Sequence, residues 1–178
     1  DARMIAKSRP RCFAGDLRLE KALKGAFSQF RDTRIAEGEA LKKDIIEKLN
    51  EMLGLVDAVE VRSPEIVAEY RAKLENKIKE LLGDAQIDEG RIATEVVIFA
   101  DKICTDEETV RLRSHIEQMK KTLDASEGIG RKLDFIAQEM NRESNTILSK
   151  SNDMEISDQA IILKTEIEKV REQIQNIE

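Results

Sequence analysis

Apolar residues recur every three or four positions along most of this 178-residue chain, the period of helices buried along one side. Leu19, Ala22, Leu23, Ala26, Phe27 and Phe30 form the first stripe. A longer one runs from about Glu37 to Val61, through Leu41, Ile45, Leu49, Met52, Val56 and Val59. Ser63-Pro64-Glu65 then reads as a helix start, with Ser as N-cap and Pro in the first turn. The helix it opens carries Val67, Tyr70, Leu74, Ile78 and Leu81, and Gly83 ends it. Residues 92–104 predict another apolar-rich helix. Its "EVVIFA" (95–100) is the best strand candidate by β-branching, but the helical pattern continues through it and predicts buried helix. Thr105 is the expected cap of the next helix, with Glu107 and Glu108 in its first turn. Gly128 and Gly130 predict a break. In the last stretch Ile156, Ala160, Leu163, Ile167, Val170, Ile174 and Ile177 alternate four and three apart, a heptad seam. The predicted fold is all-α, long helical hairpins with coiled-coil-like seams, part of whose apolar surface closes between subunits of an oligomer. Residues 1–17, with Pro10 and Gly15, read as an irregular segment ahead of a helical region over 18–178.

The segment "GRKLDFIAQEMNRESNTILSKS" (130–151) has an unusual polar side. Leu133, Ile136, Met140 and Ile147 share one face at 100° per residue, and Arg131, Asp134, Gln138, Arg142 and Asn145 share the opposite one. Arg suits bidentate phosphate contacts, while Gln and Asn suit base edges or sugar hydroxyls. The same residues also suit helix locking through charge-assisted hydrogen bonds. Spacing leaves both readings open.

Composition narrows the function classes. Charged residues make up 37% and aromatics 3%, so any nucleic-acid contact rests on backbone charge and shape more than on stacking. The net charge of −6 argues against bulk attraction to a polyanion. Its distribution is uneven, because residues 1–34 carry nine Lys/Arg against four Asp/Glu, or +5, which leaves −11 for the rest. A polyanion therefore needs a local basic site. Cys12 and Cys104 are too few for a disulfide framework or a zinc site, and Cys104 reads as a small core residue. No run of 18 apolar residues offers a membrane span, and no signal peptide is evident, so a cytoplasmic location is the default expectation. Asp1 in place of Met is what a fragment or processed product would show.

Glycine-rich phosphate loops, a Walker lysine, a nucleophile elbow and an H-E-x-x-H pair are all missing from the sequence. The one histidine, His115, shares a helix face with Glu108 and Arg111, and reads either as structural or as a metal ligand or acid/base. Glu107 and Glu108 read either as dipole-complementing acids or, with Asp134, Glu139 and Glu143, as oxygen ligands to a divalent cation.

Four ordered blocks resemble one family, the bacterial YicC/YloC proteins. The first is the quoted segment itself. "RIAEGEALKKDI" resembles a second block through Arg34, Glu37, Gly38, Leu41 and Asp44. "EGRIATEVVIFADKICTDEETVRLRSHIEQM" resembles a third through Arg91, Glu95, Asp101, Lys102, Glu107, Glu108, Arg111, Leu112, Ser114 and His115. "VREQIQNIE" resembles the terminal one through Arg171, Glu172, Gln173, Gln175, Asn176 and Glu178. Leu148 stands where a small residue is usual and Ser144 where Ala is common, and the family's N-terminal mixed α/β domain is unmatched, which suggests a truncation. The resemblance implies an endoribonuclease that cleaves single-stranded RNA with Mn²⁺ or Mg²⁺, assembled as a hexamer, with no membrane and no DNA partner. Members are also described as stress-induced or stationary-phase proteins. It assigns Arg34, Arg91, Arg111, Arg131, Lys132, Arg142, Lys150 and Arg171 to RNA phosphates. It assigns His115, Glu108 and Glu139 to catalysis, and Glu108, Asp134, Glu139 and Glu143 to the metal. The rival expectations are a non-catalytic RNA-binding adaptor and a structural helical assembly protein.

Overall fold

The computed structural model describes residues 13–82, 89–125 and 128–175. Among these residues the chain forms five helices and no strand, so the fold is all-α. The helices are α1 (Phe13–Leu82), α2 (Glu89–Ile103), α3 (Asp106–Leu123), α4 (Gly130–Lys150) and α5 (Met154–Ile174).

Three stripes that read as separate helices belong to one, because α1 is continuous over 70 residues and begins inside the segment expected to be irregular. Residues 31–36 contain no Gly or Pro to stop it, and Arg31–Asp32 and Arg34–Glu37 ion pairs lie along this stretch. Ser63-Pro64 is not a helix start, since Pro64 lies inside α1. Proline removes one backbone donor, here the partner of the Glu60 carbonyl. Ser63 Oγ adds a bond of its own to the Val59 carbonyl at 2.8 Å. Val59 and Ile66, buried on either side, anchor both flanking turns, so packing overrides the local stop signal.

Packing divides the chain into two compact units, Asp1–Leu41 and Lys42–Glu178. In the first, Leu19, Leu23, Phe27, Phe30 and Ile35 are all half exposed or more. The Glu37–Val61 stripe reads true within the second unit, where Ile45, Leu49, Met52, Val56 and Val59 are fully buried. They share one core with α3, α4 and α5, including the heptad seam from Ile156 to Ile174. Ile177 lies outside the described residues.

Polar contacts set the helix order in this unit. Lys42 pairs with Asp124 at 2.8 Å, and Arg113 reaches Asp57 and Glu60, so α1 runs antiparallel to α3. Gln173 donates to Asp44, and Arg62 meets Asp153 at 3.0 Å, so α1 also runs antiparallel to α5. The α3–α4 and α4–α5 pairs pack as hairpins. From Lys42 to Ile66, α1 therefore lies across the core from α4 in a four-helix bundle.

Two expectations about burial are corrected. "EVVIFA" is helical, but Val97 and Ile98 are 58% and 56% exposed. Of α2, Ile103 joins the core cluster and Phe99 packs against it; Phe99 also stacks on Tyr70 of α1, with ring centroids 3.7 Å apart. A helix covered on one side leaves the rest of its apolar residues in solvent. Cys104 is likewise exposed, because it lies past the end of α2.

The α4–α5 corner is held by Asp153. Its carboxylate caps α5 by accepting from the Ile156 N–H at 3.1 Å, and it faces Arg62. Burial raises its pKa, but the Arg62 bond and the backbone donors outweigh burial and hold it below the ordinary 3.8. A depressed carboxylate pKa contributes stability that is complete above the unfolded value and lost as pH falls through the folded one. Asp153→Asn keeps the capping acceptor but drops the charge, so its urea midpoint should fall less than the wild type's between pH 7 and pH 3. Asp153→Ala loses the cap as well and should cost about 1–2 kcal/mol at pH 7.

Candidate functional site

The α3–α4 hairpin aligns two polar edges. On α3, Glu108, Arg111 and His115 follow one another at spacings of three and four, beside buried Leu112, Ile116 and Met119. On α4, Glu139, Glu143 and Lys150 run along the edge beside Met140 and Ile147. Antiparallel packing turns these edges into a ladder. Lys150 Nζ donates to Glu108 Oε1 at 2.7 Å, Arg111 lies 3.7 Å from Glu143, and His115 comes within 4.8 Å of both glutamates of α4.

His115, Glu139 and Glu143 offer ligand atoms that all lie within 4.8 Å of one another. Glu143 is buried, while His115 and Glu139 are half-buried. One imidazole nitrogen and two carboxylate oxygens, held from two helices, form a donor set suited to a hard or borderline divalent cation. Glu139 and Glu143 are one turn apart and so project together, while His115 comes across from α3.

The remaining candidates are placed elsewhere. Glu108 is 5% exposed and sits at the start of α3, where Lys150 also bonds the Cys104 carbonyl at 3.0 Å. Its Oε2 is buried with no hydrogen-bond partner. Asp134 lies on the α5 side of α4, accepting from Arg171 Nε at 3.0 Å and from Gln138 at 2.7 Å. Asp134 raises the Arg171 pKa above its ordinary value, chiefly through that hydrogen bond. Glu107 is bonded to Arg111 one turn away on the same helix. Arg131 and Lys132 are exposed in the first turn of α4, after Gly128 turns the chain with a φ of 60°. Arg91 is exposed at the start of α2, and Arg34 is exposed in the first unit, 3.7 Å from Glu37.

The outer face of α4 forms a shallow, open groove lined by Gln138, Asn141, Arg142, Asn145, Thr146 and Ser149. Gln138, Arg142 and Asn145 belong to the polar stripe read from the sequence. Asn141, Thr146 and Ser149 were missed, although each lies within four residues of that stripe on the same side. Arg142 joins groove to ladder, with its guanidinium 3.8 Å from Glu139. The helix-locking role left open by spacing falls to Asp134 within this stripe, through Arg171 of α5, and to residues outside it. Arg62 meets Glu65, Glu69, Asp153 and Glu155, and Arg113 meets Asp57 and Glu60.

The family described as "Endoribonuclease YicC-like, C-terminal" matches residues 59–178. Over 161 residues the chain is 47% identical to "Probable endoribonuclease YicC" of Clostridioides difficile (strain 630), covering 90% of this chain and 55% of that protein. It is 37% identical over 153 residues to the protein of the same name from Haemophilus influenzae (strain ATCC 51907 / DSM 11121 / KW20 / Rd), covering 85% and 52%. The chain thus spans about half the length of these curated relatives.

The Glu108–Lys150 pair makes a stability test. Lys150→Met strands a buried carboxylate and should cost about 3 kcal/mol by urea unfolding, whereas adding Glu108→Leu should recover most of the loss. Equal losses in the single and double variants would show that the pair does not couple α3 to α4.

Proposed function

The chain belongs to the YicC-like family, and we propose that it carries the metal-holding and RNA-contacting part of an endoribonuclease acting on single-stranded RNA. The observation that carries this reading is the grouping of His115, Glu139 and Glu143 beside the Arg142 groove. A divalent cation, Mn²⁺ or Mg²⁺, would supply charge stabilisation at a phosphodiester and a water of lowered pKa. Glu139 and Glu143 offer it oxygen donors, and His115 the third ligand atom. Arg142, with Arg131 and Lys132 in the first turn of α4, meets phosphates. Gln138 and Asn145 face sugar and base edges, and the groove's lining includes no aromatic on which a base would stack. Glu108 and Lys150 support the site by fixing α3 against α4.

A second reading, a non-catalytic RNA-binding adaptor, has its own support. Glu143 and Glu139 each have an arginine within 4 Å, which would balance their charge without a metal. Incubation with labelled single-stranded RNA separates the two. Cleavage is expected with Mn²⁺ or Mg²⁺ and none with EDTA, and Glu143→Gln or His115→Ala should lower the rate at least about 10²-fold. Binding without cleavage in all three conditions would favour the adaptor.

We also infer a hexamer, located in the cytoplasm. Its support is apolar surface that the chain leaves open, namely Leu19, Leu23, Phe27 and Phe30 in the first unit and Val97 and Ile98 on α2. Among the described residues no helix is long and apolar enough to cross a membrane. A Phe27→Glu/Phe30→Glu variant should shift the assembly to a smaller mass in light scattering. An unchanged mass would exclude this stripe as the subunit contact.

A further inference from the structure

The ion pairs around α4 fall into two kinds. Lys150–Glu108 and Arg171–Asp134 are hydrogen-bonded at 2.7 and 3.0 Å, the first with Glu108 buried and the second with both side chains about a third exposed. Arg142–Glu139 is a loose contact at 3.8 Å, beyond hydrogen-bond distance, and the Arg142 side chain is 72% exposed. Among the described residues Glu139 is the one acid within ion-pair distance of Arg142. Arg111 is similar on the α3 side, bonded to Glu107 but 3.7 Å from Glu143. The two acids of the candidate cation set thus have arginine contacts of 3.7 and 3.8 Å, both beyond hydrogen-bond distance.

We propose that Arg142 is an exchangeable counter-ion, held over Glu139 when no cation is bound and released to an RNA phosphate when Glu139 turns to a cation. The proposal rests on the reading above of His115, Glu139 and Glu143 as cation ligands. One carboxylate cannot fully satisfy a guanidinium and a divalent cation together, so the two compete for it. A phosphate competes with Glu139 for the same guanidinium. Cation and RNA therefore favour one another without touching, and linkage makes the effect reciprocal, each raising the affinity of the other by the same factor. Exposed ion pairs of this kind are worth about 0.2–1 kcal/mol, which sets the coupling at up to about five-fold.

A double-mutant cycle on RNA binding in EDTA tests this without reference to cleavage. Glu139→Gln frees Arg142 and should tighten binding of a single-stranded oligonucleotide two- to five-fold. In an Arg142→Gln background the same substitution should give no gain. Equal gains in both backgrounds would be a bulk charge effect and would overturn the proposal, as would no gain in either. A second arm uses Mn²⁺ alone, titrated by calorimetry. Arg142→Gln should raise Mn²⁺ affinity by a similar factor, and unchanged or weaker Mn²⁺ binding would overturn the exchange. If no variant binds RNA, the ribonuclease and adaptor readings both fail, and the Mn²⁺ arm still decides whether Arg142 and the cation compete.

Discussion

Burial of Leu133, Ile136, Ala137, Met140 and Ile147 fixes the rotational phase of α4, and the functional candidates on this helix inherit their positions from that phase. The helix sits between α3 and α5 and turns this apolar face into the bundle. With the phase set, Glu139 and Glu143 fall on the edge facing α3, and Asp134 on the edge facing α5. The stripe of Gln138, Arg142 and Asn145 is left to solvent. A rotation by one residue, about 100°, would carry a charged edge into the core, where unpaired charge is far more costly than the exposure of one leucine. The core therefore specifies the site even though no core side chain belongs to it.

Charge then sorts the polar residues by how closely they pair. Glu108, buried at the base of α3, is paired by Lys150 at hydrogen-bond distance, because a buried carboxylate without a counter-ion is destabilising. Glu139 lies nearer the surface, where solvation lowers the penalty, and Arg142 stands off it at 3.8 Å; Glu143 is buried, with Arg111 at 3.7 Å. Pairs at hydrogen-bond distance hold helices together, as Lys150–Glu108 and Arg171–Asp134 do, while the contacts at Glu139 and Glu143 are looser.

The heptad seam of α5, the stripe from Ile45 to Val59 and the polar stripe of α4 were all legible, because each depends on spacing within one helix. The misreadings have a common cause. Ser63-Pro64 carries a valid local stop signal, but Val59 and Ile66 are pinned to the same core and keep the helix continuous. "EVVIFA" carries a valid burial signal, but how much of α2 is covered depends on which helices lie beside it. Cys104 looked like a core residue on a continuing helix, but α2 ends at Ile103. The pairing of Lys150 with Glu108, 42 positions away, was not legible either. Which acid meets which base across a hairpin depends on the register of two helices, and that register is set by packing and connection length together. His115, Glu139 and Glu143 were all candidates by residue type, yet spacing could not separate them from Glu108 and Asp134.

Register is also what gives the grouping its meaning. Sliding α3 against α4 by one helical turn would displace His115 by about 5.4 Å. That exceeds the 4.8 Å within which the three ligand atoms lie, so the group exists in one register alone. Lys150 marks that register at the far end of the ladder, since its ammonium bonds both the Glu108 carboxylate and the Cys104 carbonyl. A side chain that looks like one more phosphate ligand on a basic helix end is therefore better placed as the pin that brings His115 opposite its glutamates. The basic residues that the proposed reading gives to a substrate are those the fold does not need for itself, Arg142 above all, with Arg131 and Lys132 exposed at the start of the same helix.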